Sequence, residues 1–236
     1  MARLARVIAV GVPHHVTQRG NARQFILSSD GDRRVYLDLL RHYSSLYQLL
    51  LLGYGLMSNH VHLIVIPERP DSLALTLKNA HGRYATHWNV GRNSSGHVWQ
   101  GRYYSCPLEE SHLWAALRYV ELNPVRAGLV KDPHQYRWSS AAAHCGTVPA
   151  EQWLDMELWR EHWNAASWRD YLASGGAEAE AKEIRESTHT GRPLGTPEFV
   201  ESWEKTLRRR WAPQSGGRPQ KLERDERQAA LIFESE

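Results

Sequence analysis

Apolar and polar positions follow two different periods along the first half of the chain, and their order predicts an α+β fold. Residues 15–19 alternate between apolar and polar types, which predicts a first strand that ends at the turn signal Gly20-Asn21. Residues 49–57 and 60–67 are apolar runs that predict two further strands, joined as a hairpin by the polar dipeptide between them. Residues 98–105 predict a fourth strand.

Three segments carry apolar residues at helical spacing instead. The first covers residues 30–47 and follows Ser28-Ser29, since serine is a residue type that caps helices. The second begins at Asp71-Ser72 and the third at Glu109-Glu110, while Asn123-Pro124 is expected to end or bend the third helix. Strands and helices in this order predict an α+β sandwich, an antiparallel sheet with helices on one face.

The second part of the chain has a different composition. Residues 151–186 are acidic and rich in tryptophan, which predicts one or two helices packed on the core. Arginines recur after Thr206. We therefore divide the chain into a domain at residues 1–146 and a helical C-terminal extension at residues 147–236, which ends in a basic, partly flexible tail.

Overall composition is that of a globular protein without a membrane anchor. Of 236 residues, 42% are hydrophobic and 23% are charged, which argues against disorder. No apolar run approaches the ~20 residues of a membrane span. The two cysteines, Cys106 and Cys145, are too few for a disulfide framework or a thiolate zinc site. The expected location is a bacterial-type cytoplasm.

The net charge of +3 conceals blocks of opposite sign. The segment before Asp30 contains arginines and no acidic residue, and the segment between Asp71 and Glu109 is likewise basic. The acidic residues concentrate between 151 and 186. Basic blocks in the N-terminal half favour contact with a polyanion, although an ordinary solvated surface is the alternative interpretation.

The sequence His60-Val61-His62 offers a candidate metal site. Because side chains alternate along a strand, the two histidines project from the same face. Two imidazoles fixed in this way can bind one divalent metal. The alternative is a pair of partly buried histidines that only form hydrogen bonds with their neighbours.

The third helix offers a candidate nucleophile. Tyr119 and Asn123 are one turn apart on one stripe, with the small Ala116 leaving space beside the ring. A tyrosine near a divalent metal can attack a phosphate, and Asn123 could add an oxygen ligand to the histidine pair. The alternatives are an ordinary half-buried tyrosine and a helix C-cap. Tyr103 and Tyr104 are rival nucleophiles, but neighbouring strand residues face opposite ways and cannot both reach the metal.

A surface for unpaired nucleic acid is predicted where aromatic and basic residues interleave. Aromatic rings that stack bases, set among cations that follow the backbone, are typical of proteins that bind single strands. The aromatic candidates are Tyr84, Trp88, Trp99, Tyr103 and Tyr104. Core packing is the alternative interpretation, which we favour for Tyr84 and Trp88. The basic candidates for DNA contact are Arg19, Lys78, Arg83, Arg102 and Arg126.

Four motifs in the same order resemble the REP-associated tyrosine transposases, a group of the single-tyrosine HUH transposases. They are GVPHHVTQRGN at 11–21, MSNHVH at 57–62, GHVWQGR at 96–102 and RYVELNPVRAG at 118–128. The segments TGRPLG at 190–195 and GRP at 217–219 are similar to the C-terminal region of that family. The resemblance covers most of the chain.

The resemblance implies a ferredoxin-like fold and a specific chemistry. His60 and His62 match the family's metal-binding pair, Tyr119 matches its nucleophile, and Asn123 occupies the position of a further metal ligand. The reaction implied is cleavage and rejoining of single-stranded DNA beside a palindromic hairpin, through a 5′-phosphotyrosine link. Mg²⁺ or Mn²⁺ suits this phosphate chemistry.

Other functions and assemblies stay open at this point. A non-catalytic binder of hairpin DNA, derived from a transposase, is the main alternative function. A replication-initiation or relaxase nuclease fits the motif around Tyr119 poorly. The expected partner is single-stranded or hairpin DNA, and the protein is expected to be cytoplasmic and nucleoid-associated when bound to it. A monomer is favoured, with a homodimer possible.

Overall fold

A four-stranded antiparallel sheet organises the chain in the computed structural model, which describes residues 7–207. The strands are β1 (His14–Arg19), β2 (Leu49–Leu56), β3 (His60–Pro67) and β4 (Tyr104–Pro107). The helices are α1 (Asp30–Leu46), α2 (Ser72–Gly91), α3 (Glu110–Arg126), α4 (Ala141–His144), α5 (Glu157–His162), α6 (Ala165–Ala173), α7 (Glu178–Thr190) and α8 (Pro197–Thr206). The strand order β2-β3-β1-β4, with α1 and α2 as crossovers, confirms the predicted ferredoxin-like α+β fold.

The helices α1 and α2 pack together on one face of the sheet. Ser29 begins α1 as predicted, because its hydroxyl accepts from the backbone of Asp32 while the Asp32 side chain binds back to Ser29. Tyr36 of α1 and Tyr84 of α2 are fully buried and meet edge to face. This half of the core fixes the crossover helices and leaves the other face of the sheet for α3.

Close approach of α3 to the sheet depends on two glycines of β2. A Cβ on Gly53 would collide with Leu117, and one on Gly55 would lie 3.2 Å from the carbonyl oxygen of Val120. Gly55 pairs with His62 of β3, so α3 crosses the face that carries the histidine. The structure thus adds a helix on the second face of the ferredoxin-like sheet.

Two predicted boundaries differ from the structure. The helix α3 does not end at Pro124 but continues to Arg126. The carbonyl that loses its usual partner to a proline lies four residues earlier, at Val120, where it faces the open side of Gly55. The strand predicted over residues 98–105 is interrupted at Gly101, whose φ of 66° turns the chain, and regular pairing starts only at Tyr104.

The C-terminal helices are tied to α3 through a buried polar cluster. Glu121 is fully buried, and its two oxygens accept from Ser140 Oγ at 2.6 Å, His144 Nδ1 at 2.6 Å and Trp168 Nε1 at 2.9 Å. We call these four residues the glutamate cluster. Because Trp168 belongs to α6, the cluster joins the end of the sheet domain to the extension.

A second attachment runs along the edge strand β4. Leu194 forms a parallel bridge with Leu108, and Cys106 Sγ donates to the carbonyl of Arg192 at 2.8 Å. The predicted domain boundary at residue 146 stays a prediction. Among residues 7–207, no helix combines the length and apolar character that crossing a membrane requires. The predicted basic tail lies outside the described residues from position 208 onward.

Candidate metal and nucleophile site

Two histidines of β3 lie side by side on the face that α3 covers. His60 pairs with Arg19 of β1, and His62 pairs with Thr17. The centroids of the two imidazole rings are 4.9 Å apart, with an angle of 82° between the ring planes. His62 is buried and His60 is partly exposed. A strand held on both sides by neighbours therefore fixes both imidazoles, as the sequence predicted.

Each imidazole uses its Nδ1 atom within the protein. His60 Nδ1 lies 2.6 Å from the side-chain oxygen of Asn59, to which it donates. His62 Nδ1 lies 2.9 Å from Nε2 of His15, a buried residue of β1. The nitrogen left for a ligand is therefore Nε2 in both rings.

Burial keeps both rings neutral at pH 7. Burial, and next the positive charge of Arg19, lower the pKa of His60 to about 4. Burial also holds the pKa of His62 well below its usual value, with His60 as the next cause. Neutral imidazole is the form that binds a metal, so no proton has to leave these side chains first.

The Tyr119 side chain of α3 lies against this pair. Its ring centroid is 5.6 Å from that of His62 and 5.8 Å from that of His15, both edge to face. Only 7% of Tyr119 is exposed. The structure therefore brings the predicted nucleophile and the predicted metal ligands together within one chain.

Two arginines accompany Tyr119. The guanidinium carbon of Arg126 is 4.4 Å from the centroid of the tyrosine ring, and the same side chain donates to the Tyr119 carbonyl. Arg185 of α7 has a raised pKa, first because of its hydrogen bond to Glu178 and further because of Tyr119. Both cations are placed to stabilise negative charge that develops on the phenol or on a bound phosphate.

Asn123 lies one helical turn after Tyr119. Its side-chain oxygen accepts from Arg126 Nη2 at 3.0 Å. Its Nδ2 is buried and has no hydrogen-bond partner in the described part of the chain. Within that part, only the bond to Arg126 holds the amide in its present orientation.

This donor set fits a divalent metal. Neutral histidines that are each held at Nδ1 and open at Nε2 have the arrangement usual for metal ligands. Asn123 would supply an oxygen once its amide leaves Arg126. Between residues 7 and 207, no group of three or more His, Cys, Asp or Glu side chains could hold a metal ion. The remaining ligands would therefore be amide, phosphate or water oxygens.

The five cations predicted to contact DNA lie in two places. Arg19 is next to His60 in the sheet, and Arg126 lies over the tyrosine ring. Lys78 and Arg102 line a cavity of about 480 Å³ beside α2, and Arg83 is exposed on α2 itself. Only the first two are part of the site around the histidine pair.

Most of the predicted base-stacking rings belong to the core. Tyr84, Trp99 and Tyr103 are buried, so the alternative interpretation of core packing is confirmed for them. Tyr104 is 39% exposed, and its ring centroid is 4.2 Å from that of His189 in α7. Tyr104 therefore remains the one rival nucleophile with an accessible side chain among these tyrosines.

Comparison with known proteins shows a similarity to one family of transposases. The sequence profile of the transposase IS200-like family matches residues 10–123. The matched segment begins before β1, contains both histidines of β3 and ends in α3 after Tyr119. These 114 residues, just under half of the chain, are therefore similar to the IS200-like transposases.

One solved structure supports the fold of this chain, and a second match is weaker. The chain is similar to a REP-associated tyrosine transposase bound to a REP hairpin, with 17% identity and a TM-score of 0.53 over 66% of this chain and 96% of that one. It also matches a candidate transposase from Deinococcus radiodurans R1, with 19% identity and a TM-score of 0.36 over 51% of this chain and 96% of that one. Among curated proteins, none matches significantly.

Residues outside the matched segment 10–123 complete the site, and the sequence analysis missed them. Arg185 and Thr188 reach the tyrosine and His15, respectively, from α7. The sequence indicates these residues only through the helical spacing of Ala181, Ile184 and Thr188, which are all buried in the structure. That spacing indicates a packed helix face but does not indicate which part of the chain it covers.

Proposed function

We propose that this protein cleaves and rejoins single-stranded DNA beside short palindromic hairpins, with Tyr119 as the nucleophile. The observation that carries the proposal is the contact between the Tyr119 ring and His62, whose Nε2 is open to a ligand. The match of residues 10–123 to the IS200-like transposases supports DNA as the substrate. The hairpin is suggested by the REP hairpin bound to the structural neighbour.

In this reaction the phenolic oxygen of Tyr119 attacks the phosphorus of the scissile phosphate. A bond forms between that oxygen and phosphorus, and the bond from phosphorus to the 3′ oxygen breaks. The phenol proton leaves to solvent, and the departing 3′ oxygen takes up a proton. Because the 5′-phosphotyrosine link keeps the energy of the phosphodiester, a 3′-hydroxyl can later attack it and rejoin the strand without ATP.

The other residues of the site would bind the metal ion or stabilise negative charge on the reacting groups. His60, His62 and Asn123 would bind Mg²⁺ or Mn²⁺, which when bound polarises the phosphate and stabilises charge on the departing oxygen. Arg126 and Arg185 flank the phenol and would stabilise negative charge that develops on the attacked phosphate.

Cations outside the site would hold the DNA. We propose that Arg19 contacts phosphates next to the scissile bond, since it is the neighbour of His60 across the sheet. Lys78, Arg83 and Arg102 would contact the strand or its hairpin on the α2 side of the sheet. The contact of Tyr119 with His62 within one chain supports a monomer as the active form. A DNA substrate places the protein in the cytoplasm, on the nucleoid when bound.

The proposal is tested by trapping the covalent link. We expect the protein, incubated with labelled single-stranded hairpin DNA and Mg²⁺, to form an adduct that survives denaturing electrophoresis. Tyr119→Phe should abolish the adduct because it removes the attacking oxygen, while hairpin binding stays within a few-fold. Tyr104→Phe is the matched control and should leave the adduct in place. An adduct that persists in Tyr119→Phe and disappears in Tyr104→Phe would assign the nucleophile to β4.

A non-catalytic hairpin binder is the second candidate function. The observation that favours it is the hydrogen bond between Arg126 and the Asn123 oxygen, which occupies the third proposed ligand. If this function is the true one, the wild-type protein binds the hairpin but forms no covalent adduct. His60→Ala then changes neither the affinity for the hairpin nor the dependence of that affinity on metal. In an active enzyme, His60→Ala should instead remove metal-dependent cleavage.

A further inference from the structure

We propose that Thr188 and His15 are positioning residues that fix the tautomer of His62, so that its Nε2 carries a lone pair toward the metal. This inference rests on the proposed function only for the role of the metal. We call Thr188, His15 and His62 the histidine relay. It begins in the C-terminal helix α7 and ends at the catalytic face of the sheet.

The first step of the relay is set by a carbonyl. Thr188 Oγ1 lies 2.7 Å from the carbonyl oxygen of Ile184. A carbonyl carries no proton, so two oxygens this close need the hydroxyl proton between them. The same Oγ1 lies 2.7 Å from His15 Nδ1 and has no second proton to offer. His15 Nδ1 must therefore carry a proton and donate it to Thr188.

The second step follows from the neutrality of His15. Only 1% of this residue is exposed, and its two ring nitrogens contact the hydroxyl of Thr188 and the imidazole of His62. Within residues 7–207 no carboxylate bonds to either nitrogen, and a buried imidazole without such a partner stays neutral. Since its single proton is on Nδ1, its Nε2 is an acceptor.

The third step sets the ligand itself. His15 Nε2 and His62 Nδ1 are 2.9 Å apart, a distance that requires one proton between them. His15 Nε2 has none, so His62 Nδ1 donates. His62 Nε2 is then unprotonated and can bind a metal. If the hydrogen bonds of the relay ran in the opposite direction, His62 Nε2 would carry a proton and could not bind a metal.

His60 reaches the same tautomer by a local route. Its Nδ1 is held by the side-chain oxygen of Asn59, the preceding residue. His62 has no such neighbour in sequence and depends on residues from β1 and α7. The C-terminal extension therefore contributes a hydrogen bond to the site, in addition to the cation of Arg185.

The test compares two threonines of α7. Thr188→Val removes the acceptor but keeps the shape of the side chain, whereas Thr188→Ser keeps the hydroxyl. Thr190→Val is the matched control, because Thr190 is exposed and its hydroxyl bonds only within α7. The primary readout is long-range ¹H–¹⁵N correlation NMR of the imidazoles in metal-free protein, which reports the tautomer of His62. The second readout is the affinity for Mn²⁺.

In the wild type, Thr188→Ser and Thr190→Val, we expect His62 to carry its proton on Nδ1. In Thr188→Val, His15 loses its acceptor and the relay reverses, so the proton of His62 moves to Nε2. Mn²⁺ affinity should then fall about 10–100-fold, as is usual when an outer-shell partner of a ligating histidine is lost. The serine variant should stay within a few-fold of the wild type.

Two results would overturn the inference. One is a wild-type His62 protonated on Nε2, which needs no variant to observe. The other is a Thr188→Val protein with the wild-type tautomer and unchanged Mn²⁺ affinity. Failure of the proposed function looks different, since the tautomers and Mn²⁺ affinities would follow the relay while the wild-type protein formed no DNA adduct.

Discussion

Two buried polar clusters lie on the α3 side of the sheet, and they differ in what they leave open. The glutamate cluster is closed, because three donors occupy the two oxygens of Glu121. The histidine relay is open at one end, where His62 keeps an unused Nε2. Both clusters connect the sheet domain to the C-terminal helices, so position in the fold does not explain the difference.

The difference is explained by the groups that each cluster contains. A buried carboxylate requires several donors, and once they are supplied neither of its oxygens is left for a ligand. The cluster still has an unpaired ring nitrogen, His144 Nε2, but this atom is sealed inside the core, whereas His62 Nε2 is not among the buried unpaired atoms of the described residues. The relay is built from neutral groups, each with one donor and one acceptor. The direction of one hydrogen bond therefore fixes the direction of the next, and the last ring nitrogen, His62 Nε2, is left without a proton. A closed cluster is suited to holding helices together, and an open one is suited to presenting a ligand.

The largest effect is expected from opening the closed cluster. Glu121→Ala would leave the donors of Ser140, His144 and Trp168 buried without an acceptor. We expect the free energy of unfolding to fall by about 3–5 kcal/mol, the usual range when one member of a buried polar network is removed. Urea unfolding followed by tryptophan fluorescence measures this. A loss below about 1 kcal/mol would mean that the cluster does not hold α6 to α3.

The sequence predicted the parts of the site that are close together along the chain. His60 and His62 follow from the alternation of a strand, and Tyr119 with Asn123 follows from the spacing of a helix. Both patterns are local, so residue order is sufficient to place side chains on one face. The same reasoning found the four strands and the first three helices, except where Gly101 and Pro124 altered a boundary.

The clusters could not be predicted in this way. Thr188 is separated from His15 by 173 residues, and Glu121 is separated from Trp168 by 47. No periodicity indicates which buried threonine meets which histidine, because such contacts depend on how helices pack on the sheet. The tryptophan-rich segment was correctly expected to pack on the core, but its link to Glu121 needed the structure.

The second largest effect is expected from acid, which should lower the free energy of unfolding because several buried histidines are neutral. Burial lowers the pKa of His15 and His81 to about 3 and that of His14 to about 4, from 6.5 in the unfolded chain. Between pH 6.5 and 4 the unfolded state therefore binds more protons than the folded state, so stability falls as the pH is lowered. Each such histidine contributes about 1.4 kcal/mol per pH unit in this window.

Two glutamine variants separate the relay from this general effect. His15→Gln and His81→Gln should each reduce the dependence of the unfolding free energy on pH by about 1.4 kcal/mol per unit between pH 6.5 and 4. Unfolding curves at several pH values measure the slope. Only His15→Gln should also weaken Mn²⁺ binding at pH 7. An unchanged slope in both variants would show that the folded protein binds these protons as readily as the unfolded chain.

The smallest effect is expected from a matched pair of hydroxyl deletions, one in each cluster. Ser140→Ala leaves Glu121 with His144 and Trp168 as donors, and Thr188→Val removes the first acceptor of the relay. Each should lower the free energy of unfolding by about 1 kcal/mol, the usual contribution of one hydrogen bond. Their effects on Mn²⁺ affinity should differ, because only the relay ends at a ligand. If Ser140→Ala weakened Mn²⁺ binding as much as Thr188→Val, both deletions would act by loosening α3, and the contrast between closed and open clusters would be lost.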